Sequence, residues 1–137
     1  MIALLLAAAV QVPDFRDPPD CWAGPQIELT HCAILEFQQS DDTMSQQLEE
    51  IGDLMKRLDS AADIKEGPSY YEALMTGQRT WLAFREAHCS IMLVSGGSIA
   101  PMQEYICKRD LTEARIQQLR SMKINPATGN TYFEGEK

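Results

Sequence analysis

Apolar residues recur every three or four positions through the first half of the chain. Between Gln26 and Ala62, one side of this repeat is mostly aliphatic, aromatic or methionine, and the other side is acidic or amide-bearing. Such spacing gathers the apolar side chains on one face of an α-helix. It therefore predicts one long amphipathic helix with the buried stripe Ile34, Phe37, Asp41, Met44, Leu48, Ile51, Met55 and Leu58.

A second helix is predicted after a short turn. Residues 61–69 contain a Gly-Pro pair that interrupts the first repeat. The repeat resumes from about Tyr70 to Val94 and ends at a Ser-Gly-Gly-Ser sequence, where either glycine can close a helix. The short turn makes the two helices antiparallel neighbours. The stripe of the second helix comprises Tyr71, Leu74, Gln78, Trp81, Arg85, His88 and Met92.

The rest of the chain predicts a third helix and no strand. Residues 101–108 suit a short helix, and Asp110 to Glu113 have the spacing of a capping box that would begin a helix over about Leu111–Met122. Residues 125–137 have no period and are expected to be a flexible tail. The predicted fold class is all-α: a small helical bundle built on a long antiparallel hairpin, with a shorter C-terminal helix.

The N-terminus resembles an export signal. Residues 2–10 form an unbroken apolar run that is too short to span a bilayer but suits the core of a signal peptide. We assign residues 1–12 to a signal peptide and residues 13–124 to the helical domain. No lipobox precedes Cys21, so we expect no stable membrane anchor.

Four cysteines, Cys21, Cys32, Cys89 and Cys107, predict two disulfides, because an even number in a small exported chain is typical of a stapled domain. Their wide spacing argues against a zinc site. In the antiparallel hairpin Cys32 and Cys89 would be displaced along the axis, which disfavours their pairing. Two pairings stay open: Cys21–Cys89 with Cys32–Cys107, or Cys21–Cys32 with Cys89–Cys107.

The hairpin also predicts a contact between Asp41 and Arg85. Both are charged residues inside otherwise apolar stripes. The turn is centred near residue 63 or 64, which places the two residues at the same level on facing helices. An arginine fork suits a carboxylate. We expect a partly buried ion pair, and the alternative is that both side chains point outward.

The segment 78–89, QRTWLAFREAHC, resembles the central motif of the LprI-type lysozyme inhibitor family. Glu86 stands where that family usually has aspartate, and Met44-Ser45 and Leu48 also depart from its pattern. The resemblance implies an exported bacterial helical domain and, for the best-known type, inhibition of lysozyme. It extends over about residues 20–122 through Cys21, Gln26, Cys32-Ala33, Asp41, Met44-Ser45, Gly96-Gly97-Ser98, Cys107, Leu111-Thr112, Arg115 and Leu119.

Composition narrows the function to binding. The formal net charge is −8 and the basic residues are scattered, which argues against a nucleic-acid partner and favours a basic protein. The sequence contains no recognisable catalytic triad, phosphate loop or metal-ligand spacing. We therefore expect no enzyme activity, no cofactor and no metal.

The candidate contact residues are the loop Ser95, Gly96, Gly97, Ser98 and Ile99, and Trp22 beside the first cysteine. The loop could enter the cleft of a lysozyme, where its hydroxyls would meet the catalytic carboxylates. We expect a periplasmic or secreted protein that blocks lysozyme. The alternative is an interaction or structural module of the cell envelope that binds another partner.

Overall fold

The computed structural model describes residues 21–62, 66–124 and 131–133. Over these residues the chain is helical, and the predicted all-α class is confirmed. The proposed signal peptide lies outside the described residues. The elements are α1 (Gln26–Ala61), α2 (Tyr70–Cys89), α3 (Ile91–Val94), α4 (Ala100–Ser121), β1 (Met122–Ile124) and β2 (Thr131–Phe133).

The turn between α1 and α2 is closed by side-chain caps. Ser69 accepts a hydrogen bond from the backbone of Glu72, whose carboxylate accepts one from the backbone of Ser69. Asp59, near the end of α1, accepts the backbone N–H groups of Tyr70 (2.7 Å) and Tyr71 (3.1 Å). These contacts satisfy donors that the first turn of a helix leaves unpaired, and they hold the two helices antiparallel.

Helix α4 runs parallel to α1. Three hydrogen-bonded pairs between the helices share one register: Glu36 with Arg109, Ser40 with Glu113, and Gln47 with Arg120. Each pair is separated by 73 residues in sequence. A constant offset in residue number means that the two helices run in the same direction. This packing places α4 along α1, beside the hairpin.

The predicted start of the C-terminal helix was wrong. Helix α4 begins at Ala100 rather than near Leu111, and it includes the segment expected to be a separate short helix. Pro101 lies in its first turn, where the missing N–H is harmless. The expected capping residue Asp110 accepts hydrogen bonds from Arg109 instead of the backbone. The capping-box spacing is present in the sequence, but α4 packs along α1 and continues through it.

The C-terminal end also differs from expectation, because it contains a small antiparallel ribbon. Met122 pairs with Phe133, Lys123 with Tyr132, and Ile124 with Thr131. Residues 131–133 were assigned to the flexible tail, and the remainder of that tail lies outside the described residues. β-Branched and aromatic residues favour strands, but three-residue strands are too short to show a recognisable alternation.

The core lies where α1, α2 and α4 meet. Its buried side chains include two methionines, which are flexible enough to fit irregular space. Gly52 allows close packing near the turn, since a Cβ there would lie 3.3 Å from the Tyr71 ring. The buried cluster consists of Met44, Ile51, Met55, Leu74, Ile116 and Leu119.

Two disulfides join neighbouring segments. Cys21 is bonded to Cys32, and Cys89 to Cys107, each with a Cα–Cα distance of 5.6 Å. Of the two pairings that the sequence left open, the local one is therefore the one formed. Cys32 and Cys89 are fully buried. The first bridge ties the N-terminal segment to α1, and the second ties the end of α2 to α4.

Candidate functional site

Arg85 lies at the centre of a polar layer inside the bundle. This layer also contains Asp41, Thr112, Gln78 and Arg115. It is 5% exposed. Its Nη1 donates to Asp41 Oδ1 at 2.5 Å and to Thr112 Oγ1 at 2.9 Å. The Asp41 side chain is 38% exposed, so the carboxylate sits at the edge of the layer and remains in contact with water. One guanidinium thus contacts side chains of all three long helices.

Aromatic rings enclose the same guanidinium. The Arg85 Cζ atom lies 4.9 Å from the centre of the Phe37 ring and 5.4 Å from that of Trp81. Such stacking favours a cation and is stronger where water is excluded. Arg115 lies 5.7 Å from the same Trp81 ring. Trp81 of the motif and Phe37 of α1 therefore stack on charged groups within the bundle.

Gln78 extends this layer toward the core. It is 2% exposed, its Oε1 accepts from Arg115 Nε at 3.0 Å, and its Nε2 donates to Met44 Sδ at 3.5 Å. Burial lowers the pKa of Arg115 from its ordinary value. Among the described residues, every buried side-chain nitrogen and oxygen has a hydrogen-bond partner.

Glu86 and Lys108 connect the motif to α4. Lys108 Nζ lies 2.7 Å from Glu86 Oε2 and 2.9 Å from Glu104 Oε1. Burial opposes ionisation of Glu86, but hydrogen bonds and charges from Lys108 and Arg85 outweigh it and lower the pKa of the carboxyl. Burial also disfavours the charged Lys108, yet its two carboxylate partners raise the pKa of the amine.

The sequence did not point to three members of this layer. Phe37 was interpreted as an ordinary core residue, Lys108 as part of a short helix, and Thr112 as part of a capping box. The sequence shows which residues lie at equal heights on two helices only when a short turn joins those helices. The parallel placement of α4 carries no comparable signal in the local sequence.

The loop Ser95–Ile99 projects from the opposite end of α2 to the turn at Ser69. Gly96 and Gly97 have φ values of 66° and 84°, a region that favours glycine. Gly96 N–H donates to Leu93 at 3.1 Å, and Ala100 N–H donates to Gly97 at 3.3 Å. The Cys89–Cys107 disulfide links the segments on either side. Backbone bonds and this bridge restrain the loop.

Apolar side chains flank the loop and face solvent. Leu93 is 44% exposed, Val94 is 83% exposed and Ile99 is 44% exposed. We call residues 93–99 the bundle tip. This segment contains no charged residue, although 23% of the chain is charged. Exposed apolar residues concentrated in one structured segment are typical of a contact surface.

Trp22 is presented separately from the bundle tip. It follows Cys21, has a φ of 81° and is 50% exposed. Its indole N–H donates to Glu36 Oε1 at 3.3 Å. The Cys21–Cys32 disulfide fixes this segment against α1. The structure thus places Trp22 on the surface beside Glu36 and Arg109, rather than in the core.

The described part of the chain lacks two other features, a metal-ion cluster and a membrane-spanning helix. No group of three or more His, Cys, Asp or Glu side chains there could hold a metal ion. No helix within it has the length and apolar character needed to cross a membrane.

The family model described as Lysozyme inhibitor LprI matches residues 21–119. The chain belongs to the LprI lysozyme inhibitor family. The match begins at the first cysteine and includes both disulfides, the polar layer and the bundle tip. No curated protein and no solved structure matches the chain.

Membership indicates a lysozyme-inhibitor-like protein from a family of inhibitors rather than enzymes. Together with the two disulfides, it also indicates an exported protein. Within the motif that carries the resemblance, Gln78, Arg85 and Cys89 face inward and are buried. These residues therefore build the family's fold, and a contact surface must be sought among exposed residues.

Proposed function

We propose that this protein binds lysozyme and blocks its cleft with the bundle tip. The observation that carries the proposal is the exposed, uncharged loop between Leu93 and Ile99, which a disulfide and backbone hydrogen bonds hold in shape. A loop that is ordered before binding loses less conformational entropy when it enters a cleft. No catalysis by the inhibitor is required.

The chemistry of the bundle tip suits a lysozyme cleft. Lysozymes cleave glycosidic bonds with two carboxyl groups that flank the substrate. The tip has no acidic side chain to repel those groups, and Ser98 offers a hydroxyl donor. Val94 and Ile99 supply apolar surface on either side. Such a convex tip can occupy the space that the sugar chain would take.

The charge of the whole chain supports the same partner. Its formal net charge is −8, and many lysozymes are strongly basic. Opposite net charges accelerate the encounter of two proteins, and added salt weakens this attraction. The acidic residues all lie outside the bundle tip, for example Glu49, Glu50 and Asp53 on the exposed side of α1. Charge would therefore guide approach while the uncharged tip makes the contact.

We infer that the site of action is the periplasm or the extracellular space. Lysozyme reaches its cell-wall substrate in these compartments, and both permit disulfides. The two bridges and membership of an inhibitor family support this location. The alternative function, binding another partner in the cell envelope, is an outcome that the following experiment separates.

The test is clearance of a cell-wall suspension by lysozyme. The oxidised, purified protein is expected to slow clearance by at least one lysozyme type, with less effect at high salt. Val94→Asp should abolish most of the inhibition, because it places a carboxylate beside the catalytic carboxyls. Gln46→Asp, an equal charge change on the exposed side of α1, is the matched control and should inhibit normally.

Two results would contradict this proposal. One is unaltered clearance with every lysozyme type tested at high inhibitor concentration, which would favour the envelope alternative. The other is inhibition that Val94→Asp leaves intact, which would place the contact elsewhere, with Trp22 as the next surface to vary. Circular dichroism of each variant verifies that the helical fold is retained.

A further inference from the structure

A polar groove of about 500 Å³ lies between the parallel helices α1 and α4. Pockets that bind small molecules typically enclose about 300–1,000 Å³. Helix α1 contributes Glu36, Gln39, Ser40 and Thr43, and Ile116 of α4 is the one apolar side chain among the described residues that line the groove. No residue of the bundle tip belongs to this lining. The groove is therefore a separate surface that offers hydrogen-bonding groups.

The charges in this groove balance one another. Glu36 and Glu113 line it together with Arg109 and Arg120. Glu36 forms an ion pair with Arg109, and hydrogen bonds to Asp110 and Glu36 raise the pKa of this guanidinium despite its partial burial. The groove is thus neutral on a chain whose formal net charge is −8. It favours an uncharged ligand over a nucleic acid, which requires concentrated positive charge.

The polar side chains of the groove combine donors with acceptors. Gln39 and Gln117 are exposed, and each amide donates through its nitrogen and accepts through its oxygen. Arg120 donates from Nε to Gln47 at 3.1 Å, which leaves the further N–H groups of its guanidinium to point elsewhere. A sugar hydroxyl also donates and accepts at once. Side chains of these types can therefore pair with a row of hydroxyl groups.

Trp22 lies at one end of the groove. Its indole N–H donates to Glu36 Oε1 at 3.3 Å, and the other oxygen of that carboxylate accepts from Arg109. Trp22 is 50% exposed, and the Cys21–Cys32 disulfide ties its segment to α1. The face of an aromatic ring carries partial negative charge and attracts the C–H groups of a sugar ring. A restrained, exposed indole beside a polar groove is therefore a platform on which one sugar can stack.

The length of the groove suits a short chain of sugars better than other ligands. Arg109 and Arg120 mark its two ends and lie about 16 Å apart along α4, at a rise of about 1.5 Å per residue. An extended peptide would find no partner for its backbone, because the backbone groups within a helix already pair with one another. An apolar ligand requires apolar walls, and the polar lining of this groove does not provide them.

We propose that the groove between α1 and α4 binds an uncharged oligosaccharide, with one sugar ring stacked on Trp22. The amide, hydroxyl and guanidinium groups along the groove pair with the hydroxyl or acetamido groups of the following sugars. Each of these hydrogen bonds replaces one to water, so its net contribution is small and the affinity is modest. The site needs no contact with lysozyme, and the proposal is independent of the inhibitory function.

The test is NMR titration of the oxidised protein with two trisaccharides, tri-N-acetylchitotriose and cellotriose. The indole N–H signal of Trp22 and the amide signals of Gln39 and Gln117 are expected to shift and saturate with at least one of them, while signals of the bundle tip stay in place. A response to the first sugar alone supports the proposal and assigns recognition to the acetamido groups. A response to both supports it and assigns recognition to the rings and hydroxyls.

Matched variants locate the binding site. Trp22→Ala should weaken binding by at least about tenfold, because it removes the stacking platform. Phe84→Ala is the control, since Phe84 is 51% exposed on α2 and does not line the groove. Arg120→Ala, which alters an exposed side chain of α4, should weaken binding by about threefold or more. Arg79→Ala, an exposed arginine of α2, should bind as the wild type does.

Three results would overturn the proposal. The first is the absence of saturable shifts with both sugars, and the second is a set of shifts confined to the bundle tip. The third is binding that Trp22→Ala and Arg120→Ala both leave unaltered. Since the titration contains no lysozyme, its failure leaves the proposed inhibition standing, and a failure of inhibition leaves the titration valid.

Discussion

Arg85 and Asp41 lie 44 residues apart in sequence, and their Nη1 and Oδ1 atoms are 2.5 Å apart. The pair joins α2 to α1, and Thr112 connects the same guanidinium to α4. Because arginine is charged at any relevant pH, it must keep its acceptors when the bundle packs. A shift of α1 or α4 along its axis would separate the guanidinium from these acceptors. This contact therefore selects the register of the bundle more than it adds to stability.

A double-mutant cycle measures this pair. Asp41→Ala should destabilise the protein by about 2 kcal/mol, below the roughly 3–5 kcal/mol of a fully buried pair, because Glu86 still contacts Arg85. Arg85→Ala should cost about 3–5 kcal/mol through lost packing and stranded acceptors. The double mutant should lose less than the sum. Exposed Asp42→Ala, the control, should change the unfolding free energy by less than about 0.5 kcal/mol. Additive losses would disprove coupling.

Acid should weaken the contact between Glu86 and Lys108. The pKa of Glu86 is lowered from 4.5 in the folded state. A carboxyl with a depressed pKa contributes stability above its unfolded pKa and loses it as pH falls through the folded value. The Glu86 side chain is 50% exposed, so the effect should be below about 1 kcal/mol. Urea unfolding of wild type and Lys108→Met between pH 7 and about pH 3 measures it.

The wild type should lose more stability than Lys108→Met over that acid range. Lys108 gives the complementary alkaline prediction. Its pKa is raised above 10.5, so its contribution is complete below that value and declines as pH rises through the folded pKa. Equal acid sensitivity in the two proteins would show that the ion pair contributes nothing measurable.

The two disulfides should separate stability from inhibition. Replacing Cys89 and Cys107 by alanine should cost about 2–4 kcal/mol and reduce lysozyme inhibition, because this bridge supports the bundle tip. Replacing Cys21 and Cys32 should cost a similar amount and leave inhibition largely intact. Thermal unfolding and cell-wall clearance are measured on both variants at a temperature where each is folded. Equal loss of inhibition would contradict the assignment of the site to the tip.

Gly77→Ala should stabilise the protein by about 0.5–1 kcal/mol, since alanine is the better helix former and its Cβ meets nothing within 4 Å among the described residues beyond the neighbouring backbone of α2. Urea unfolding at low protein concentration measures the gain. Gly67→Ala is the contrasting control and should destabilise, because Gly67 has a φ of 86°. A destabilised Gly77→Ala protein would show that the added methyl group meets a steric contact in the folded state.

Much of the hairpin can be predicted from local pattern. The first helix was expected over 26–62 and forms over Gln26–Ala61, while the second begins at Tyr70 as expected. Apolar spacing and turn residues act within a few positions of one another, so the chain displays them directly. The short turn also made a statement about residues at equal levels possible. The Cys–Cys connectivity required more, because two pairings satisfied the same sequence.

Helix periodicity, an even set of cysteines and the order of motif residues were enough to establish an all-α stapled domain of this family. Tertiary packing alone decided that α4 runs parallel to α1 and continues through the expected start at Leu111. It also brought Thr112 and Lys108 to the motif on α2. The physical reason is that local spacing reports which face of a helix is apolar. It does not report which other helix that face meets, or in which direction the other helix runs.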